Sequence, residues 1–191
     1  MTNARPSQGT GAVVSSRPGS RDTHGTAPGR QIPVLAPEPA YVGAVLLVDL
    51  LTARAALARV QDDDLGDHRL RVVLGLARRL VAEGVAPDPV AVLARARADG
   101  DVTGAAVAAL ALLLHDLAAG VPVPASVMYY AAAVLDDAVR RRVGEAAARL
   151  GQAADGESMA SLLELVDREA AAVRELAARR ATAPTPLQAM R

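Results

Sequence analysis

The sequence predicts an all-α protein, with an orthogonal helical bundle followed by a long antiparallel helical hairpin. Its apolar residues are Ala, Val and Leu almost throughout, and Ala and Leu are strong helix formers. Phe and Trp are absent and Tyr occurs three times, whereas strands favour aromatic side chains. From residue 38 onward the apolar residues recur at helical spacing. These three observations favour helices over strands.

Changes in composition divide the chain into four predicted parts. Residues 1–37 are rich in Ser, Thr, Gly, Pro and Arg and lack apolar periodicity, so we expect a disordered tail. Residues 38–120 are expected to form the helical bundle and residues 121–182 the hairpin, which would serve self-association. Residues 183–191 contain two Pro and are expected to form a short flexible tail.

The bundle is predicted to contain five helices. The first opens at Glu38-Pro39, because Pro suits the first helical position and an acid suits the N-terminal dipole. The others are expected at Thr52–Val60 with Thr52 as N-cap, His68–Glu83, Val90–Ala98 and Thr103–Ala119. Since the last of these is apolar nearly all round, we expect it to be the buried centre.

The hairpin is predicted from two long helices joined by a turn at Asp155-Gly156. The first spans about Ala125–Ala153 with Ser126 as a candidate cap, and Gly144 and Gly151 count against a continuous rod. The second spans about Met159–Thr182 and is capped by Ser158. Its apolar stripe repeats every three or four residues, as in a two-stranded seam, at Leu162, Val166, Ala170, Val173 and Leu176-Ala177.

Two pairs of opposite charge are also expected along this helix, Glu164–Arg168 and Glu175–Arg179. In each pair the acidic residue comes four positions before the basic one, which is the favourable order on a helix.

Charge and cysteine content exclude several classes of protein. Twenty-one basic residues, all Arg, balance 21 acidic ones, so a strongly basic nucleic-acid surface is not expected. Without Cys there are no disulfides, thiolate zinc sites or Cys nucleophiles. The longest apolar stretch, Ala105–Leu114, is shorter than a membrane span, and no signal peptide is visible. We expect a cytoplasmic protein without a cofactor or a metal.

Four segments occur in an order typical of one known family. Residues 38–49 read EPAYVGAVLLVD, residues 68–71 read HRLR after an acidic loop, residues 84–93 read GVAPDPVAVL, and residues 121–135 read VPVPASVMYYAAAVL. Over about residues 38–180 this succession resembles the N-terminal collar domain of the replicative DnaB-type DNA helicases. The acidic loop departs from the family pattern because it lacks aromatic residues.

The resemblance implies a collar role and no motor. A P-loop needs a Lys for the phosphates, and this chain has no Lys, so ATP hydrolysis by that route is excluded. The resemblance implies self-association, as a dimer or a ring, and docking of replication proteins such as helicase or primase. We therefore expect a non-catalytic module rather than an enzyme.

The residues expected to carry these contacts lie in the hairpin. Tyr129 and Tyr130 are large rings in an Ala-rich chain and are interpreted as packing anchors. Because a two-helix hairpin has little interior, the apolar stripe of the second helix needs a further partner. The predicted self-association residues are Tyr129, Tyr130, Leu162, Val166, Val173 and Leu176. The predicted partner-contact residues are Arg140, Arg141 and Arg142.

Other polar groups have simpler interpretations, and one alternative function stays open. His68 is read as a helix-start residue, and Asp62, Asp63 and Asp64 as a solvated loop without EF-hand spacing. The alternative is a small regulatory DNA-binding protein that uses its Arg-containing tail and Arg140–Arg142. With zero net charge, nucleic-acid binding is expected to be weak or absent.

Overall fold

The computed structural model describes residues 36–182 and contains only helices there, which confirms the all-α class. Both predicted tails lie outside the described residues, except for Ala36 and Pro37. The α-helices are α1 (Pro37–Val45), α2 (Leu50–Leu57), α3 (His68–Ala82), α4 (Pro89–Ala98), α5 (Ala105–Ala119), α6 (Val127–Ala154) and α7 (Met159–Ala181). Short 3₁₀ helices at Asp62–Asp64 and Pro124–Ser126 precede α3 and α6.

Helix α1 is the buried centre of the bundle. Every residue from Ala40 to Val45 is buried, and α1 contacts α2, α3, α5 and α6. Gly43 allows the backbone of α5 to come close, because a Cβ there would lie 2.5 Å from Val121 Cγ2 and 2.9 Å from the carbonyl carbon of Leu117. The Tyr41 ring is fully buried and its hydroxyl donates to the Ala56 carbonyl at 3.1 Å.

The expectation that α5 is the buried centre is wrong. Only Leu110, Leu114 and Leu117 of this helix are buried, and Leu112 is 61% exposed. Helix α5 packs on α1 and α4, and eight of its 15 residues are exposed. Apolar composition all round therefore did not distinguish a central helix from a peripheral one.

Aspartates cap most of the bundle helices. Asp49 accepts from the Leu51 and Thr52 amides, so the predicted cap at Thr52 is wrong and α2 begins earlier. Asp67 and Asp88 cap α3 and α4, and His68 starts α3 as predicted. Their side-chain oxygens satisfy amides that a helix start leaves without partners.

The helix ends of the hairpin were predicted with mixed success. Ser126 does not cap α6, because a 3₁₀ turn ends at that residue and leads directly into the helix. Ser158 caps α7 by accepting from the Ser161 amide at 3.2 Å. Helix α6 is continuous through Gly144 and Gly151.

The first half of α6 belongs to the same core as α1. Val127, Ala131, Val134 and Leu135 are all buried and join the apolar cluster of the bundle. The division of the chain at residue 120 stays a prediction. Among residues 36–182 no single helix meets the length and hydropathy that a membrane span requires; α5 and residues 124–154 do so only jointly, with a bend of 91° between them.

Candidate self-association surface

Helices α6 and α7 pack against each other in opposite directions, and we refer to them together as the hairpin. Near the turn, Arg149 of α6 donates to both carboxylate oxygens of Glu169 at 2.9 and 3.1 Å. Near the bundle, Arg180 of α7 donates to both oxygens of Asp136 at 2.7 and 3.0 Å. Residues 149 and 169 both lie between residues 136 and 180 in the sequence, so the two helices run antiparallel.

The half of the hairpin near the turn carries an apolar groove that the rest of the described chain leaves uncovered. Its volume is about 390 Å³. Apolar side chains form most of its wall, namely Val143, Ala146, Ala147, Leu150, Val166, Ala170 and Val173, and Glu169 and Arg174 complete it. Val143 is 48% exposed and Val166 is 41% exposed. This groove, called the distal groove below, is an apolar surface of the hairpin that packing among residues 36–182 leaves open.

The predicted self-association residues are divided between four environments. Val166 and Val173 line the distal groove. Leu162 lies near the turn and is half-buried, while Leu176 is buried against the bundle. Tyr129 and Tyr130 lie at the start of α6, roughly 30 Å along the helix from Leu150.

The tyrosine pair forms an edge-to-face contact, with ring centroids 6.1 Å apart and planes at 65°. Tyr129 is 46% exposed, and Tyr130 is half-buried against the core. The fully buried aromatic anchor of the fold is Tyr41, whose pKa is raised by burial. The six predicted residues therefore do not form one surface, and their role in self-association stays a prediction.

The three predicted partner-contact arginines have different environments. Arg141 donates to the Asp64 carbonyl at 2.6 Å and to Glu38 at 3.2 Å. Arg142 contacts Glu169 at 2.8 Å and Glu145 at 3.7 Å. Arg140 is exposed. Two of the three guanidinium groups are thus engaged inside the chain, and partner contact by this run stays a prediction.

The acidic loop is not simply solvated, contrary to the expectation for its three aspartates. Asp64 is 4% exposed and accepts two hydrogen bonds from Arg179 of α7, at 2.7 and 2.8 Å. This pairing raises the pKa of Arg179, and Asp64 also accepts from the Gln61 amide at 2.7 Å. The end of α7 is therefore tied to the loop that precedes α3.

The two predicted charge pairs along α7 do not form. Arg179 turns to Asp64 instead of Glu175, and Glu164 and Arg168 make no salt bridge. The Coulombic attraction between a carboxylate and a guanidinium is stronger where less water surrounds them, as it is at Asp64. The partner of Arg179 follows from the fold and not from the spacing within its own helix.

A second apolar groove lies between α3 and α5. Val72, Ala109, Leu110 and Leu113 line it, and Val72 is 39% exposed. In residues 36–182 no cluster of three or more His, Asp or Glu side chains has the geometry to hold a metal ion.

Sequence reasoning missed Glu169, which is 7% exposed in the middle of the hairpin. A signal for it was present. The spacing of Leu162, Val166, Glu169, Val173 and Leu176 alternates strictly between four and three residues, so Glu169 occupies a seam position. Asp64 had no such signal, because nothing in a run of three aspartates distinguishes the buried one.

The fold is similar to a solved structure of known identity. No protein-family model and no curated protein matches the chain. The crystal structure of the N-terminal domain of DnaB helicase from Mycobacterium tuberculosis matches with a TM-score of 0.60 and 28% sequence identity. The match covers 74% of this chain and 96% of that chain. The resemblance read from the four sequence segments is thereby confirmed.

Proposed function

Because the chain has the fold of the N-terminal domain of a DnaB-type helicase, we propose that it is a non-catalytic, self-associating module that contacts replication proteins. The observation that carries the proposal is the distal groove, an apolar surface on the part of the hairpin farthest from the bundle. Leaving such a surface in water is unfavourable, and burying it against another protein is favourable.

The composition of the distal groove supports a second copy of the hairpin as its occupant. Ala146, Ala147 and Ala170 allow close approach of another helix, and Val166 and Val173 offer side chains for packing. Antiparallel helices with exposed apolar stripes associate by packing those stripes together. The resulting assembly would be a dimer or a ring of dimers.

The replication role rests on the likeness to the helicase domain. A helicase or a primase is the partner of this module, with the exposed Arg140 as the contact. In one mechanism the chain occupies the hairpin site of a helicase subunit and modulates ring assembly or primase docking. The DNA-binding alternative has less support, since Arg141 and Arg142 are engaged in internal pairs.

Self-association is tested by sedimentation velocity of the full chain over a range of concentrations. We expect an oligomer for the natural sequence and a monomer for Val166→Glu, which places a charge in the distal groove. Leu112→Glu is the matched control, because Leu112 is also exposed but lies on α5. A monomer for the natural sequence at all concentrations would refute self-association, and loss of assembly in the control alone would move the interface to α5.

Partner binding is tested with the purified replicative helicase and primase of the cell that encodes the chain. We expect micromolar or tighter binding to one of them, measured by titration calorimetry, and weaker binding for Arg140→Glu. Absence of heat and of co-sedimentation with both proteins at micromolar concentrations would refute the replication role while leaving self-association intact.

A further inference from the structure

Glu169 is the charged member of an otherwise apolar seam. It follows Val166 by three residues and precedes Val173 by four, so it faces α6 as its apolar neighbours do. Its side chain is 9% exposed. A carboxylate in such a position is costly to bury unless it is fully paired.

Two arginines of α6 hold this carboxylate. Arg149 donates to both of its oxygens, and Arg142 contacts one of them at 2.8 Å. The two arginines are seven residues apart, or about 10 Å along the helix. They therefore approach Glu169 from opposite directions along α6. Glu145 lies between them, within 3.7 Å of Arg142 and 3.9 Å of Arg149.

The Glu169 carboxylate can pair with both arginines in one register of α7 on α6. A slip by one helical turn, about 5.4 Å, would move the carboxylate away from one of its two arginines and into contact with apolar side chains. Apolar packing alone distinguishes the registers poorly here, because all but one of the apolar residues that line the distal groove are Ala or Val, so similar side chains recur along it. A single buried polar group at a seam position is known to fix register at some cost in stability.

We propose that Glu169, held by Arg142 and Arg149, sets the register of α7 on α6 and so determines the shape of the hairpin surface that a second copy binds. The three residues act as positioning residues, since Glu169 lines the distal groove and the two arginines hold its carboxylate. The effect on the surface that a second copy binds rests on the proposed self-association. The role of Glu169 in setting the register does not.

The register is measured by disulfide cross-linking within one chain, because the natural sequence has no Cys to interfere. Leu150→Cys with Val166→Cys reports the native register, since both residues line the distal groove from opposite helices. Leu150→Cys with Leu162→Cys or with Ala170→Cys reports a shift of one turn in either direction. Cross-linking is carried out at high dilution, so that contacts between chains do not contribute.

The test variant is Glu169→Leu with Arg142→Met and Arg149→Met, which removes all three charges and leaves none buried alone. Replacing a buried ion cluster with apolar residues often preserves stability. The matched control is Glu164→Leu with Arg168→Met, two exposed residues of α7 that form no salt bridge. A second variant, Glu169→Gln, removes the charge while keeping the shape and is used if the triple variant loses helicity.

We expect the ratio of native to shifted cross-links to fall by about tenfold in the triple variant and to stay unchanged in the control. Sedimentation velocity should then show several species in place of one oligomer. An unchanged cross-link ratio in the triple and Glu169→Gln variants would overturn the register proposal. A changed ratio with the same oligomer would overturn the link to the binding surface. If the natural sequence is monomeric, the proposed function fails while the cross-links still decide the register.

Discussion

The bundle around α1 and the distal half of the hairpin are built from the same apolar residue types but bury them to different extents. In α1 every residue from Ala40 to Val45 is buried, whereas Val143, Val166 and Leu163 of the hairpin are 48%, 41% and 58% exposed. In the bundle several helices share one core, while the distal hairpin has two helices and little interior. The difference distinguishes apolar residues that stabilise the fold from those that we propose to pack against a second copy.

The largest expected difference between the regions comes from removing a large apolar side chain. Leu74→Ala in α3 should lower the free energy of unfolding by about 2–5 kcal/mol, because Leu74 is fully buried and a cavity would remain. Leu163→Ala should change it by roughly 0.5 kcal/mol or less, since Leu163 is exposed. Urea unfolding at low protein concentration measures both. Equal losses would mean that the hairpin has a core that its exposure does not reveal.

The junction between the regions depends on the ion pair of Asp64 and Arg179. Asp64→Asn should cost about 2 kcal/mol, less than a fully buried pair because the Arg179 side chain is 27% exposed. Hydrogen exchange should show faster opening at the end of α7 and unchanged protection in α3. Asp63→Asn, in the same loop, is the control. Equal effects of the two substitutions would show that Asp64 has no special role.

Replacing Gly with Ala should change the stability in opposite directions in the two regions. Gly43→Ala should destabilise by about 1–3 kcal/mol, because the new Cβ would meet the backbone of Leu117. Gly144→Ala should stabilise by about 0.5–1 kcal/mol, since nothing lies within 4 Å of a Cβ there and Ala favours the helix. Thermal unfolding at low protein concentration measures both, and a gain for Gly43→Ala would refute the close approach of α1 and α5.

The smallest expected effect is a pH dependence from the helix caps of the bundle. Hydrogen bonding, led by the Thr52 hydroxyl, lowers the pKa of Asp49. A lowered pKa in the folded state contributes stability above the ordinary aspartate pKa of about 4, and that stability is lost as the pH falls further. Asp49→Asn should reduce the loss of Tm in acid slightly. If Tm falls in acid to the same extent in Asp49→Asn as in the natural sequence, other carboxylates cause the pH dependence.

The sequence predicted the helices more completely than it predicted their burial. Helical spacing, the Ser158 cap and the His68 start placed most elements within a few residues. The prediction of burial failed for α5, because a helix that is apolar all round can be central or peripheral. Which of the two it is depends on the helices that pack against it.

The candidate surface was predicted in part. Val166 and Val173 belong to the distal groove, as the stripe indicated. Leu176 and the tyrosine pair lie elsewhere, because distance along a long helix separates them from the groove. The pairs Asp64–Arg179 and Arg149–Glu169 join residues distant in sequence, and local spacing carries no information about such contacts.

The most direct test of the central claim is hydrogen exchange of the full chain at a dilute and at a concentrated condition, read by peptide mass spectrometry. The account predicts that concentration increases protection in the distal hairpin, residues 143–173, and leaves α3 and α5 unchanged. Increased protection at α5 without any change in residues 143–173, or no change anywhere, would contradict the claim that the distal groove binds a second copy.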